Sequence, residues 1–418
     1  MIARALGCVV RTHGNAVLAA LPGARVGAGV SIRRADGSTL LGEVVAVERA
    51  RVSIAPFGAL TGVAVGDRVT IDAGALAVPV GYATLGRAFD ASGRSIDGGA
   101  APDAAVAAID RENVPEARAR QPVRDVFWTG IRAIDGLLAI GRGARVGLFG
   151  APGAGKTTLL ETIAASARGD VVIIALVGER GREAAAWLER RDARTTIVCA
   201  TSDRSAAERV RAADVAMTQA EYFRERGAHV VLIVDSLARY AAALREGRVA
   251  IGEAVGRGGY PPGVWADLAR YLERAGNGAR GSITMLATVL SDGADEREPL
   301  SDAARSLLDG HIVLSSALAR AQHFPAIDIG ASTSRTMAGI VSAAHARDAA
   351  VIRRALARLA ETSDARSLGL ARDGDPALGL AIEAESAMAA FLRQEGSSGP
   401  GPTVRGLAAI ANLVEPRR

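Results

Sequence analysis

Residues 145–167 read RVGLFGAPGAGKTTLLETIAASA. An apolar run of strand length enters a glycine-rich loop, and a stretch of helix length leaves it. A strand that turns into a helix through such a loop belongs to a βαβ unit, and therefore to a sheet with helices packed on its faces. Gly150, Gly153 and Gly155 let the backbone curl until its N–H groups point inward at a helix N-terminus, a nest for phosphate oxygens. Ala151, Pro152 and Ala154 fill out the loop, and Thr158 follows it into the helix. Lys156 supplies a compact ammonium to β- and γ-phosphates, and the Thr157 hydroxyl is placed to bind Mg²⁺. Composition sharpens the point about the lysine. Of 50 Lys and Arg residues it is the sole lysine, and the other 49 are arginine. The chain uses arginine wherever a surface charge suffices; a broad planar guanidinium cannot enter a loop wrapped closely around phosphate.

The same alternation continues on either side. Apolar runs VVIIALVG (171–178), TIVCAT (196–201), HVVLIVD (229–235) and SITMLATVL (282–290) are separated by helical stretches such as SAAERVRAADVAMTQAEYFRERG (205–227). They predict a mainly parallel sheet. Residues 1–75 differ: GCVVRT, AVLAAL, VSIRR, LLGEVVAVE, RVSIAPF and RVTI are short runs split by Gly/Asp turns, the pattern of a small β-barrel or sandwich. The stretch 76–125, with DASGRSIDGG and several prolines, reads as an irregular linker packed on the next domain. Beyond about 337 the chain turns helical and strand-poor, with EGSSGPGP (395–402) as a flexible loop. The expected boundaries are a barrel over 1–75, linker and α/β core over 76–336, and a helical domain over 337–418.

Several classes fall away. Cys8 and Cys199 form no CxxC pair, and the five histidines lack metal-ligand spacing. The longest apolar runs are strand-length, far short of a membrane span, and the N-terminus breaks at Gly7 and Arg11 before a signal-type stretch develops. A cytoplasmic protein is expected. The net charge of +5 permits acidic partners, but over 418 residues it describes a solvated surface slightly rich in arginine.

Two further segments carry chemistry. HVVLIVDS ends an apolar strand with Asp235, a carboxylate at a strand's C-terminal edge where bound Mg²⁺ would sit. VGERGRE (177–183) also leaves an apolar strand. Hydrolysis needs a carboxylate near the γ-phosphate to orient water, and on spacing alone Glu179 and Glu183 meet that need equally.

Taken together, FWTGIRAIDGLLAIGRGARVGLFGAPGAGKTTLL, GERGRE, ATSDR, AEYFRERG, DSLARYA, GGYPPGVWADLARYLERAG, LLDGHIVLS, HFPAIDIGASTSR and FLRQ resemble the type III secretion ATPase family. That family is related to flagellar export ATPases and to the catalytic subunits of rotary F- and V-type ATPases. The resemblance spans nearly the whole chain and implies an N-terminal β-barrel, a central RecA-like P-loop α/β domain and a C-terminal helical domain. It implies that Glu179 is the catalytic glutamate, Arg180 its γ-phosphate-side neighbour, Arg335 an arginine finger reaching the adjacent subunit's site, and Phe324 the aromatic that contacts adenine.

A finger given in trans implies a ring, so a homohexamer hydrolysing ATP with Mg²⁺ is expected. Implied partners are chaperone–effector complexes, stator and central-stalk proteins, and the export gate, with the ring peripheral at the inner membrane face and no nucleic acid bound. Many relatives carry an N-terminal extension used in oligomerisation and stator binding; this chain begins almost at the first strand, and the extension is expected to be missing. The loop EGRVAIGEAVGRGGYPP departs from the family's pattern, as do SDGADEREPL and ETSDARSLGLARDGD. Rival readings are a flagellar export ATPase, a rotary synthase subunit, an RNA-translocating ring and a non-catalytic ring subunit. For the RNA reading, Phe57 is the only aromatic among the N-terminal strands.

Overall fold

The computed structural model describes residues 6–49, 51–290, 298–368 and 375–416. Most of the SDGADEREPL stretch, and residues 369–374 of the ETSDARSLGLARDGD stretch, lie outside them.

Six strands close into a barrel: β1 (Leu6–His13), β2 (Ala16–Ala20), β3 (Gly29–Arg33), β4 (Thr39–Glu48), β5 (Arg51–Pro56) and β6 (Arg68–Ile71), in the order β1-β2-β5-β4-β3-β6. Period-two alternation sends Val17, Ile32, Val44, Val52, Ile54 and Val69 inward to a core of their own. Closure leaves no unpaired strand edge.

The segment expected to be irregular is ordered and contributes to the main sheet. Ala77–Val80 pairs antiparallel with Ala105–Ala108, and β7 (Ala88–Asp90) adds an edge strand with Ala88 and Phe89 fully buried. A three-residue strand is too short to show periodicity. The turn after it is built from side chains: the Asp90 carboxylate accepts from Ser92 N and Arg94 N, and Asp97 pairs with Arg87 at 2.8 Å. That guanidinium holds the Asp97 carboxyl well below the usual carboxylate range.

The α/β core is built on β8 (Arg145–Gly150), β9 (Val171–Val177), β10 (Thr195–Ala200), β11 (His229–Asp235), β12 (Ser282–Leu290), β13 (Gly310–Leu314) and β14 (Ile327–Ser334). With β7 they run in the order β14-β13-β8-β12-β11-β9-β10-β7, and Gly276–Asn277 clips onto β12. Every pair along that path is parallel except β13–β14. β9 and β11 are buried along their whole length, as strands covered on both faces must be. The helices α1 (Lys156–Ser166), α2 (Gly181–Arg190), α3 (Ala206–Glu225) and α4 (Leu237–Ala250) follow β8, β9, β10 and β11 respectively. The longest, α3, opens with a full capping box between Ser205 and Glu208.

Three long helices follow the sheet: α5 (Ala343–Glu361), α6 (Pro376–Leu392) and α7 (Pro400–Val414). The last begins inside the stretch expected to be loop, because Pro400 suits a helix's first position, where its missing N–H costs nothing. Phe391, Leu407 and Ile352 join α5–α7 to the sheet's own core. No helix among the described residues is long and apolar enough to cross a membrane.

Candidate active site

The glycine-rich loop leaves β8 at the C-terminal end of the sheet and enters α1 directly. Gly153 and Gly155 have φ of +80° and +91°, a region that favours glycine, and this is what turns the chain back on itself. Gly150 is needed for space: a Cβ there would lie 3.1 Å from the Leu314 Cβ. Ala154 is buried beneath the loop, while Pro152 and Thr158 are exposed and Thr157 is half-buried in the first turn. No side chain caps α1, so its first-turn N–H groups are left to an anion. Lys156 folds back along the loop, its Nζ donating to Gly150 O at 2.6 Å and Ala151 O at 2.8 Å. Burial lowers the lysine's pKa, and Asp235 and Glu179 act against that.

Asp235 ends β11, with β12 lying between it and the loop strand. Its Oδ1 accepts from the buried Thr288 hydroxyl on β12 at 2.6 Å. Burial raises its pKa; the Thr288 bond, Arg239 and Lys156 lower it. Among the described residues no cluster of three or more His, Cys, Asp or Glu could hold a metal. One strand-end carboxylate and one hydroxyl suit Mg²⁺, which keeps most of its waters and takes its other ligands from phosphate.

β9 runs out into Gly178 and Glu179. Gly178 has φ +70°, and its N–H donates to Ala200 O at 2.6 Å. Glu179 is 7% exposed. Burial foremost, then a hydrogen bond with Glu183 and the charge of Asp235, push its pKa up to about 8, against the pull of Arg239. The Glu183 carboxyl moves the other way, lowered chiefly by the same hydrogen bond. The interaction between the two glutamates that spacing could not separate thus raises the Glu179 pKa while it lowers that of Glu183. Arg180 is the exposed N-cap residue of α2.

Arg239, in the first turn of α4, was not singled out by sequence reasoning. Its Nη1 lies 3.0 Å from Glu179 Oε2 and donates to Gly178 O. The available signal was spacing: four residues after Asp235, on a helix leaving the same strand, it faces the β9 exit.

Phe324 precedes β14, is 43% exposed, and brings its Cε1 within 3.9 Å of where a Cβ on Gly155 would stand. Arg335 lies elsewhere. Register places Val146 beside Gly310 and Gly310 beside Ser334, so Arg335 sits at the strand end opposite the loop. Four residues of β8 separate that row from Gly150, roughly 13 Å of strand. Arg335 is exposed, and its Nη2 donates to Arg305 O at 3.1 Å. The fold thus brings Lys156, Thr157, Glu179, Asp235 and Phe324 together and sets Arg335 apart.

Known proteins resemble the chain along most of its length. Residues 130–334 match the ATP synthase alpha/beta family, nucleotide-binding domain. The chain is 45% identical over 368 residues to the SPI-2 type 3 secretion system ATPase of Salmonella typhimurium, covering 87% of this chain and 85% of that protein. It is 42% identical over 363 residues to a flagellum-specific ATP synthase of Pseudomonas aeruginosa, covering 84% and 80%. The assembled ATPase EscN of the enteropathogenic E. coli type III secretion system superposes with a TM-score of 0.91 at 38% identity, over 97% of this chain and 100% of EscN. EscN in complex with its central stalk EscO superposes with a TM-score of 0.88 at 37% identity and the same coverage.

Proposed function

The chain belongs to the type 3 secretion system ATPase family, and we propose that it works there as a Mg²⁺-dependent, ring-forming ATP hydrolase whose turnover releases chaperones and unfolds substrates for export. The observation that supports this best is the convergence of Lys156, Asp235 and Glu179 at the C-terminal ends of neighbouring strands, around a loop with an uncapped helix behind it.

On this reading Lys156 exchanges the carbonyls of Gly150 and Ala151 for the β- and γ-phosphates, and the loop's N–H groups hold the remaining oxygens. Thr157 and Asp235 would hold Mg²⁺, which would supply charge neutralisation to the phosphate oxygens. Glu179, once deprotonated, orients and polarises the attacking water, with Arg239 fixing its carboxylate and Arg180 beside the γ-phosphate. Phe324 lies against the base. Arg335 stands at the strand end opposite its own loop, a position compatible with the finger role that the family resemblance implies, reaching the γ-phosphate bound by a neighbour; a closed ring, a homohexamer, would give every site a finger.

The central stalk that EscN binds suggests a stalk partner for this ring, with a stator, chaperone–effector complexes and an export gate at the inner membrane face completing the apparatus. Phe57 gives the RNA reading little support: it is buried, with Arg211 over its ring at 4.2 Å. The likeness to a flagellum-specific ATP synthase keeps flagellar export as a second reading, which pull-down of flagellar or injectisome components would separate.

The test uses two variants. Glu179→Gln should bind ATP and lose turnover; unchanged turnover would refute the mechanism. Arg335→Ala should assemble into rings yet lose about 10³-fold in kcat. Rings with normal turnover would remove the trans finger.

A further inference from the structure

Gln394 stands two residues beyond α6, where the helical tail returns to the nucleotide loop. We propose that Gln394 is a positioning residue for the base half of the nucleotide: it holds Phe324 over the loop without touching the substrate. The inference rests on the reading of Phe324 given above and goes beyond it by naming what keeps that ring in place.

Four hydrogen bonds carry the argument. The Gln394 backbone N–H donates to Phe324 O at 2.9 Å. Its carboxamide oxygen accepts from Arg132 N at 2.7 Å, while its amide nitrogen donates to Gly130 O at 2.7 Å and Gly396 O at 3.0 Å. One side chain thus uses its acceptor and both donors on three backbone groups, and the turn it ties down presents the N–H that reaches Phe324.

The far side of the connection is fixed as firmly. Gly130 O also accepts from Ser398 N at 2.8 Å. The fully buried Asp135 accepts from Thr129 N, Thr129 Oγ1 and Gly130 N at 2.7–2.9 Å. Ser166, the last residue of α1, donates its hydroxyl to Thr129 O at 2.7 Å. Gln394 therefore measures Phe324 against a turn anchored to the same helix that begins with Lys156. The residue type follows from the partners. A glutamate would aim an acceptor at the carbonyls of Gly130 and Gly396, and an alanine would leave Arg132 N and both carbonyls without this partner.

Phe324 touches only the base, so the effect should divide the substrate in two. Inorganic tripolyphosphate, which has no base, is the probe. In the full-length chain, Gln394→Ala should raise KM for ATP roughly five- to tenfold while leaving kcat and the tripolyphosphate inhibition constant within about twofold. Gln394→Glu should be at least as impaired, and Gln394→Asn, which keeps donors and acceptor on a shorter stem, less so. A merely structural role would move both constants together, and that result overturns the proposal, as does an unchanged KM. Phe324→Ala separates this inference from its premise. If Phe324→Ala does not alter ATP relative to tripolyphosphate, the reading of Phe324 fails by itself. If it does and Gln394→Ala does not, only the positioning role fails. Combined with Phe324→Ala, Gln394→Ala should add nothing to KM, since there is no ring left to place; an additive loss counts against it.

Discussion

Glu183→Gln tests how the active-site carboxylates share a proton. Glu179 sits at about 8 against an ordinary 4.5, with burial the leading cause, the Glu183 hydrogen bond next and Asp235 third, while Arg239 pulls downward. A base with that pKa is about one-tenth ionised at pH 7. Replacing Glu183 with its amide reverses one contribution: the carboxylate that accepted the Glu179 proton becomes an N–H₂ that can donate to the ionised Glu179. Burial and Asp235 remain, so the pKa should fall by roughly one to two pH units and stay above 4.5. The assay is kcat/KM for ATP from pH 5.5 to 9.5, which reports the free enzyme's groups. The parent should gain activity as pH rises through about 8. The variant should reach half its own plateau nearer pH 6 to 7, whatever its plateau height. Stability runs the opposite way with pH. A raised carboxylate pKa stabilises the fold fully below 4.5 and loses that contribution as pH rises through about 8, so the variant should lose less stability over that interval. An inflection that stays near pH 8 in Glu183→Gln would refute the shared proton. A parent profile that Glu179→Gln leaves unchanged would refute Glu179 as the base.

Lys156→Arg should reduce kcat by about 10²–10³-fold with little effect on the melting temperature, because the fork cannot take the ammonium's place between loop carbonyls and phosphate; steady-state turnover and a thermal melt check both halves. Arg274→Met leaves the buried Glu221 without its guanidinium, while Asp214 keeps Arg111 at 2.7 Å, and should cost about 3–5 kcal/mol of stability in a urea titration of the chain. Burial lowers the His229 pKa from 6.5 to about 4, so its contribution to stability is present above pH 6.5 and lost as pH falls towards 4; His229→Gln should flatten the melting temperature over that interval.

What was legible in the sequence is what chemistry or periodicity constrains residue by residue. Short runs split by Gly/Asp turns marked the barrel strands, and whole-run apolarity marked β9, β11 and β12, because burial on both faces leaves an unbroken apolar imprint. The loop was legible since phosphate admits only small residues, a lysine and a hydroxyl in that order. β7 left no imprint: three residues carry no period, and Phe89 is buried by tertiary packing. Arg239 looked like one helical arginine among 49, and its meaning comes from the exit of β9, sixty residues earlier, lying beside it. Glu179 and Glu183 tied because they are four apart and meet in space; what distinguishes them is depth, which spacing does not encode.

On the proposed reading, one strand keeps a single chain from completing its own site. Phe324 precedes β14 and Arg335 follows it, so the residue over the loop and the residue assigned to finger a γ-phosphate are held at opposite ends of one edge strand. An extended segment of eight residues spans about 27 Å, several times an arginine side chain's reach. β14 is not a featureless spacer: its register against β13 shifts between His311 and Val313, where the buried Ser332 hydroxyl accepts from Val313 N at 2.9 Å and bonds back to Asp328 O. Arg353 of α5 donates to Ser332 O at 3.1 Å, while Gln394 beyond α6 holds Phe324 O. The helical tail therefore grips this strand at the base end and near the finger end. Arg353→Met separates the two ends: the strand keeps Gln394 and loses its second tether. Its KM for ATP should stay near the parent's while kcat falls toward that of Arg335→Ala. A rise in KM with kcat intact would mean that Arg353 serves its own site and that the strand's two ends are not handled separately.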